Sequence, residues 1–145
     1  MIAVIWGNGA TMKITVNTSV YDWSKSRKSK EKGVDMQKNM EHTLNLTMTM
    51  ILKIGSARSM IAAALAEIAA YRYEAAREKL RQAETELLTA QRLQVRRLIE
   101  NAKAQRFVHS TLFMNAQSAL VNVMGELQMT ENLIGAFERW EPEAA

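Results

Sequence analysis

The sequence predicts an all-α fold, an antiparallel three-helix bundle, in residues 39–140 of a 145-residue chain. Apolar residues recur there at steps of three and four over three long stretches, which is the period of a helix with one buried face. Two short connections separate the stretches, so neighbouring helices should run antiparallel. Strand-like and helix-like segments do not alternate, which argues against a doubly wound nucleotide-binding fold.

The composition narrows the chemistry that the chain can perform. Cysteine is absent, which excludes a disulfide framework, a thiolate nucleophile and a cysteine-ligated metal or cluster. His42 and His109 are the only histidines, too few for a histidine-rich metal site. The apolar run from Ile2 to Trp6 is too short to span a bilayer and has no basic region before it. We therefore expect a soluble, cytoplasmic protein that needs no metal or cofactor and does not insert into a membrane.

The first 38 residues carry the whole net charge of the chain. Seven basic and three acidic residues give this segment a charge of +4, whereas the remaining residues balance. The basic run from Ser24 to Lys30 is typical of a solvated linker, and it could also contact nucleic acid or an anionic membrane. Residues 12–21 alternate like a strand, but the sequence shows no partner strand. We expect residues 1–38 to be weakly ordered.

The first two helices differ in how regular their apolar spacing is. Helix 1 is predicted from Met36 or Met40 to Ala70, with a first half weakened by β-branched threonines. Its apolar face consists of Leu46, Met50, Ile51, Ile54, Ile61, Leu65 and Ile68. Helix 2 is predicted from Tyr73 to Asn101, with a nearly heptad spacing that favours lengthwise packing and charged residues on its solvated side. The residues at that spacing are Ala76, Leu80, Ala83, Leu87, Ala90 and Leu98.

Helix 3 carries a polar line beside its apolar face. It is predicted to begin at Ser110 or Thr111, either of which can cap it, and to end near Arg139, before Pro142. Its apolar face consists of Leu112, Ala116, Leu120, Val123, Leu127, Ile134 and Phe137. The polar line consists of Asn115, Ser118 and Asn122. This line either faces a partner chain, which would bury helix 3 on two sides, or touches water.

No residue pattern in the chain points to catalysis. Of the ten methionines, Met50, Met60, Met114 and Met124 lie at helical spacing and are typical of core gap-fillers rather than copper ligands. The stretch from Gly55 to Ser59 lies inside a predicted helix and lacks the lysine of a phosphate-binding loop. Taken alone, the residue patterns predict a helical bundle and no chemistry.

Three motifs, in order and at ungapped spacing, resemble one family. They are Gly55-Ser56-Ala57-Arg58-Ser59, then Thr89-Ala90-Gln91-Arg92-Leu93-Gln94 after Ala83, then Asn115-Ala116-Gln117. Over about residues 45–139 the chain is similar to the lactose/cellobiose-type enzyme IIA of the bacterial phosphoenolpyruvate-dependent sugar phosphotransferase system. The motifs of that family read Gly-x-Ala-Arg-Ser, Glu-Ala-His-x-x-Gln-Thr and Val-His-Ala-Gln-Asp-His-Leu-Met. The resemblance implies a three-helix protomer that assembles as a homotrimer.

The resemblance also implies a change at the reactive position. In that family a histidine of the third helix accepts a phosphoryl group from the carrier HPr and passes it to a cysteine of enzyme IIB. Asn115 stands at this position. Its amide nitrogen is not nucleophilic because the lone pair is delocalised into the carbonyl. His109 is a poor substitute, since six residues along a helix means about 9 Å along the axis and about 120° around it. We expect phosphotransfer to be lost.

Further family positions are substituted as well. Ser118 stands where the family has an aspartate that faces the trimer axis and can hold a metal ion, and Ala119 replaces the next histidine. Gln91 replaces the histidine of the second helix, and Tyr71 and Arg72 replace the Gly-Asp of the first turn. Without three carboxylates at the axis, the trimer should escape like-charge repulsion and need no divalent metal.

The resemblance assigns roles to the remaining polar residues. It places Gln117, Gln91 and Gln94 at partner-binding positions, and Ser118 and Asn122 at the trimer axis. Two functional hypotheses follow. The favoured one is an enzyme IIA-like subunit for carbohydrate uptake that binds HPr and enzyme IIB but cannot accept phosphate, and so is a degenerate or regulatory paralogue. The alternative is a non-enzymatic helical interaction module whose basic tail contacts nucleic acid or membrane.

Overall fold

A computed structural model describes residues 3–7, 11–16, 19–103 and 110–140, with side chains from Lys30 onward. The elements, in order, are β1 Ala3–Gly7, β2 Thr11–Val16, β3 Ser19–Asp22, α1 Trp23–Ala69, α2 Tyr73–Lys103 and α3 Thr111–Trp140. They fall into two units, Met1–His42 and Thr43–Ala145, and α1 continues from the first into the second. The predicted connection at residues 104–109, which includes His109, lies outside the described residues.

The N-terminal unit differs from the sequence prediction. Its three strands form an antiparallel sheet in the order β1-β2-β3, with Ala3 opposite Thr15 and Lys13 opposite Asp22. The expectation that residues 12–21 lack a partner strand is therefore wrong. The apolar strand β1 supplies one partner, and the Asn8-Gly9 pair between β1 and β2 in the sequence is typical of hairpin connections.

Helix α1 begins at Trp23, well before the predicted Met36 or Met40. The basic run after Trp23 contains three lysines and an arginine, which are good helix formers. Gly33 does not end the helix, because one interior glycine costs only about 1 kcal/mol relative to alanine. Every residue from 30 to 42 is exposed. The boundary between the units follows residue 42 rather than the predicted residue 38.

The second unit is the predicted all-α three-helix bundle, which is confirmed. One cluster of buried side chains draws on all three helices: Ile54, Ala57, Ile61, Ala64 and Ile68 of α1, Ala76, Leu80, Ala83, Leu87 and Ala90 of α2, and Leu120, Val123 and Ile134 of α3. A second cluster joins Met50, Phe113 and Ala116, with Leu93 packed against it. The many alanines at these positions allow the helix axes to approach closely.

Some predicted core residues lie on the surface instead. Leu65, Leu98, Leu112 and Phe137 are exposed, and the expectation that they belong to the apolar faces is wrong. Apart from Leu46, the buried positions of α1 follow a heptad, which runs Thr43, Thr47, Met50, Ile54, Ala57, Ile61, Ala64 and Ile68. Alanine and threonine at these heptad positions, which we call the seam, are buried because the heptad position, rather than the hydrophobicity of the side chain, determines which residues face the other helices.

Among the side chains that the structure describes, salt bridges at the surface link each pair of the three helices. The pairs are Lys53–Glu86 between α1 and α2, Arg58–Glu126 between α1 and α3, and Arg77–Glu138 between α2 and α3. The hydrogen bond with the Glu138 carboxylate also raises the pKa of Arg77 above its ordinary value. Exposed pairs of this kind add little stability, but they fit only the observed antiparallel alignment of α1 with α2 and of α2 with α3.

The turn between α1 and α2 is made without glycine. Tyr71 adopts a φ of 60°, in the left-handed region that favours glycine. The backbone N–H groups of Tyr71 and Arg72 donate to the carbonyls of Ile68 and Glu67, at 3.0 and 2.9 Å, which ends α1. The side chain of Arg72 also donates to the Glu67 carboxylate and lowers its pKa.

Replacing Tyr71 with glycine should stabilise the bundle. The substitution relieves left-handed strain at the cost of a more flexible unfolded chain, for a net gain of about 0.5–1 kcal/mol in the free energy of unfolding. Urea denaturation measures it. Tyr71→Ala is the control, since it removes the ring but keeps the Cβ and its strain. A Tyr71→Gly protein no more stable than Tyr71→Ala would contradict this assignment.

The inward seam of α2 can be tested with two adjacent leucines. Leu87 is 2% exposed and Leu88 is 44% exposed. Leu87→Ala should lower the free energy of unfolding by about 3 kcal/mol, because it leaves a cavity in the core. Leu88→Ala should change it by about 0.5 kcal/mol or less. Equal losses in the two variants would mean that α2 is rotated from the orientation described.

Candidate functional site

The residues predicted on α3 lie mainly on its outward side. Asn115, Ser118 and Asn122 are exposed, and Gln117 is half-buried. The inward side of the same helix carries Phe113, Ala116, Leu120 and Val123, all buried. The helical period of 3.6 residues places the polar line away from this buried face. In the single chain the polar line is therefore available to a partner molecule.

The outward face of α3 has no charged side chain over most of its length. From Met114 to Ala136 it consists of Met114, Ser118, Val121, Asn122, Gly125, Met129, Asn132 and Ala136, all exposed. Val121 is 67% exposed and Met129 is 68% exposed. An uncharged surface with exposed apolar side chains of this kind is typical of an interaction site. We call it the α3 outer face.

Helix α1 presents a similar surface in the bundle. Its uncharged outward residues are Leu44, Asn45, Met48, Leu52, Gly55, Ser59, Ala62 and Ala66, all exposed. We call this the α1 outer face. Helix α2 differs, because its outward residues include Glu78, Arg81, Glu84, Arg92 and Arg96. Two of the three helices thus have surfaces suited to a partner with an uncharged surface.

The composition of α1 also meets a membrane criterion. Within the described residues, the part of α1 from Lys30 to Ala69 is long and apolar enough to cross a membrane, judged by length and composition only. One such helix is weak evidence, since the core helix of a soluble bundle passes the same test. Here α1 supplies a third of a buried core and carries Lys53 and Arg58 in ion pairs with the other two helices.

The site residues of α2 lie at the same level of the bundle as Asn115. Leu93 packs against the cluster of Phe113 and Ala116, so this turn of α2 adjoins the beginning of α3. Gln91 is exposed and Gln94 is half-buried. Among the described residues, no hydrogen bond joins these glutamines to Asn115.

An open groove lies on the outer side of α2 at Gln91. Its volume is about 520 Å³, and its apolar lining includes Leu88, Val95 and Ile99. Arg92 and Arg96 also line it. The groove extends from Gln91 toward the end of α2, so this glutamine is open to a partner molecule rather than part of the core.

Sequence reasoning missed the structural role of Arg58. Its guanidinium donates two hydrogen bonds to the Glu126 carboxylate, from Nη2 to Oε1 at 2.7 Å and from Nε to Oε2 at 3.2 Å. The hydrogen bond and the charge of Glu126 raise the pKa of Arg58. A signal was available: Arg58 is the only charged residue from Ile54 to Ala66, and Glu126 is the only one from Thr111 to Thr130. The pair lies one helical turn beyond Asn122, beside the polar line.

Sequence reasoning also missed a buried arginine. Arg97 is 7% exposed, although Leu98 was expected to occupy the seam. The heptad spacing of Leu87, Ala90 and Gln94 places Arg97 at the next inward position, and this spacing can be seen in the sequence.

No metal centre is assembled by the part of the chain that the structure describes. No group of three or more histidine, cysteine, aspartate or glutamate side chains in it could hold a metal ion. The candidate site is therefore a surface of amides, a hydroxyl and apolar side chains. Such a surface can recognise a partner by hydrogen bonding and by exclusion of water, and it contains no nucleophile at Asn115.

Comparisons with known proteins agree with this architecture. Two solved structures share the fold. The cellobiose-specific enzyme IIA of Bacillus anthracis has a TM-score of 0.65 and 22% identity, over 70% of this chain and 94% of that chain. The IIA(chitobiose) of a complex with HPr, from the N,N'-diacetylchitobiose system, has a TM-score of 0.63 and 24% identity, over 69% of this chain and 97% of that chain. Comparison with curated proteins found no match.

The sequence profile of one family matches most of the bundle. The profile describes the lactose/cellobiose-specific IIA subunit of the phosphotransferase system and matches residues 45–138, about two thirds of the chain. The match begins two residues after the boundary between the units and covers nearly all of the three-helix unit. The chain belongs to the lactose/cellobiose-specific IIA subunit family of the sugar phosphotransferase system.

Proposed function

We propose that this protein is a cytoplasmic IIA-like subunit of a lactose/cellobiose-type sugar phosphotransferase system that serves carbohydrate uptake without accepting phosphate itself. The observation that carries the proposal is that Asn115 is an exposed amide on α3; the resemblance assigns this position to the family's phosphoacceptor histidine. Family membership supports the role in sugar uptake. The substitution supports a degenerate or regulatory paralogue.

The amide of Asn115 is the reason why we propose that phosphoryl transfer is lost. Phosphoryl transfer through this family needs an imidazole nitrogen with a free lone pair, and an amide has none to offer. The scaffold around the position is retained, because Ala116 is buried in the second cluster and Asn115 projects outward beside it. A partner can therefore still meet this surface, although the group that would receive phosphate is missing.

The partners proposed are HPr and enzyme IIB. A solved structure that shares the fold is a IIA complex with HPr, which supports HPr as one of them. Gln117 on α3, with Gln91 and Gln94 on α2, would contribute neutral hydrogen-bonding groups to that contact. The amide groups can donate and accept, which suits recognition and not covalent transfer.

Phosphotransfer assays test the proposal directly. With labelled phosphoenolpyruvate and the other phosphotransferase proteins, the native chain should acquire no acid-labile label, whereas Asn115→His should acquire it. Gln128→His is the matched control, since it places an exposed imidazole on the same helix, away from the positions proposed for partner binding and for the trimer axis, and should stay unlabelled. Acid-labile label on the native chain, at His109 or elsewhere, would sink the proposal.

We further propose a homotrimer in which three copies of α3 meet, with Ser118 and Asn122 near the axis. The uncharged outer faces of α3 and α1 support such an assembly, because together they leave a large apolar surface exposed in a single chain. Serine at the axis removes the carboxylates that would otherwise repel one another or require a cation. The trimer should therefore assemble without divalent metal.

Sedimentation equilibrium tests the assembly. The native chain should show three times the 16.4 kDa chain mass, with or without a chelator. Val121→Glu should sediment as a monomer, because it would bury unpaired carboxylates in the contact. Val95→Glu, on the charged side of α2, should leave the mass unchanged. A native monomer, or a Val121→Glu trimer, would contradict the arrangement.

A further inference from the structure

The second half of α2 exposes large apolar side chains that its first half does not. Leu88, Val95 and Ile99 are all exposed, and they line the open groove on the outer side of this helix. From Glu74 to Leu87, by contrast, no large apolar side chain of α2 is exposed. Apolar side chains gathered on one part of a surface are typical of a contact with another molecule.

The side chains that line the groove form two parallel ridges along α2. Successive residues of a helix are separated by about 100° around its axis, so the three apolar residues fall within an arc of about 40°. Three basic residues fall within the adjoining arc, also of about 40°. They are Arg92, Arg96 and Lys103. The groove is therefore apolar along its length and basic along one edge.

The basic edge carries more charge than the chain neutralises. Among the lining residues that the structure describes, Glu100 is the only acid, and Arg96 donates to its carboxylate at 3.0 Å. Arg92 and Lys103 form no ion pair with any residue that the structure describes. The arginines of the first half differ, since Arg77 and Arg81 are each paired with a glutamate one turn away. Two unpaired cations beside an apolar ridge complement an acidic partner.

We propose that this groove binds an acidic amphipathic helix of a partner protein. Apolar side chains of that helix, at steps of three and four, would cover the ridge of Leu88, Val95 and Ile99, as in other complexes of a helix in a groove. Carboxylates along one edge of it would pair with Arg92 and Lys103. The distance from Leu88 to Lys103 is about 22 Å along the axis, which is the length of about four helical turns.

The site does not rest on the function proposed above. Gln91, proposed there as a partner-binding position, also lines the groove, but the apolar and basic side chains carry this inference without it. Labelling of Asn115→His with phosphate needs neither ridge. The two proposals can therefore fail separately.

Binding of a synthetic peptide tests the groove. The probe is a fluorescent helical peptide of about four turns, with leucines at steps of three and four and glutamates along one edge; a twin peptide carries lysines instead of the glutamates. Fluorescence anisotropy with the full chain should show saturable binding of the acidic peptide, about tenfold tighter than that of its twin, and the difference should shrink as salt is added. No binding of the acidic peptide, or equal binding of the two, would overturn the proposal.

Variants locate the binding on the two ridges. Val95→Ser should weaken binding of the acidic peptide about fivefold, because it removes apolar contact area, and Arg92→Glu should weaken it about tenfold, because it reverses a charge. The matched controls are Leu65→Ser, at an exposed leucine of α1, and Arg81→Glu, in the first half of α2. Both controls should bind within about twofold of the native chain. Losses in the controls as large as those in the groove variants would mean that the peptide binds elsewhere.

The same variants distinguish two other occupants of the groove. If a second copy of this chain covered it, Val95→Ser would change the mass in sedimentation equilibrium. If an anionic membrane covered it, phosphatidylglycerol vesicles would bind the native chain and release Val95→Ser. We expect an unchanged mass and no binding to vesicles, and either of the other results would overturn the assignment to a partner helix.

Discussion

The close packing of three helices along one heptad seam is the constraint on which the rest of the bundle depends. Ala57 and Ala64 of α1 lie in one buried cluster with Ala76 and Ala83 of α2, and side chains this small let the helices pack so closely that there is no room for rotation of a helix about its axis. Once the inward faces are set, the outward faces are set too. The apolar outer face of α3 and the amide at position 115 are exposed for that reason.

The three helices of the bundle differ in the side chains that they expose. Helix α2 exposes both acidic and basic side chains, whereas the outer faces of α1 and α3 consist of uncharged residues. The bidentate pair of Arg58 and Glu126 links α1 to α3. A chain that kept this division while losing its histidine would keep the ability to assemble and to be recognised. Assembly depends on many weak apolar contacts and survives one substitution, whereas phosphoryl transfer depends on a single lone pair.

The sequence predicted the three-helix bundle correctly, but not every buried residue and not the N-terminal sheet. The beginning of α2 at Tyr73, the capping residue Ser110 and the beginning of α3 at Thr111 agree with the structure, because they depend on local signals. The assignment of Leu98 to the core failed, because Arg97 occupies that buried position instead. Reasoning from side-chain polarity chose the leucine, but the heptad register of tightly packed helices overrides the preference of any one residue. The N-terminal sheet was missed because pairing between strands is non-local and leaves little trace in a short sequence.

The sequence by itself determined the number and direction of the bundle helices, the amide at position 115 and the resemblance to the family, because these follow from local periodicity, the identity of one side chain and motif spacing. Only the tertiary structure decided which side chains face inward, that Arg58 bonds Glu126, and that Arg97 rather than Leu98 occupies a buried position of α2. These facts depend on how helices distant in sequence approach one another. The same residue can be solvated or buried according to that approach, so no pattern along a single helix specifies the outcome.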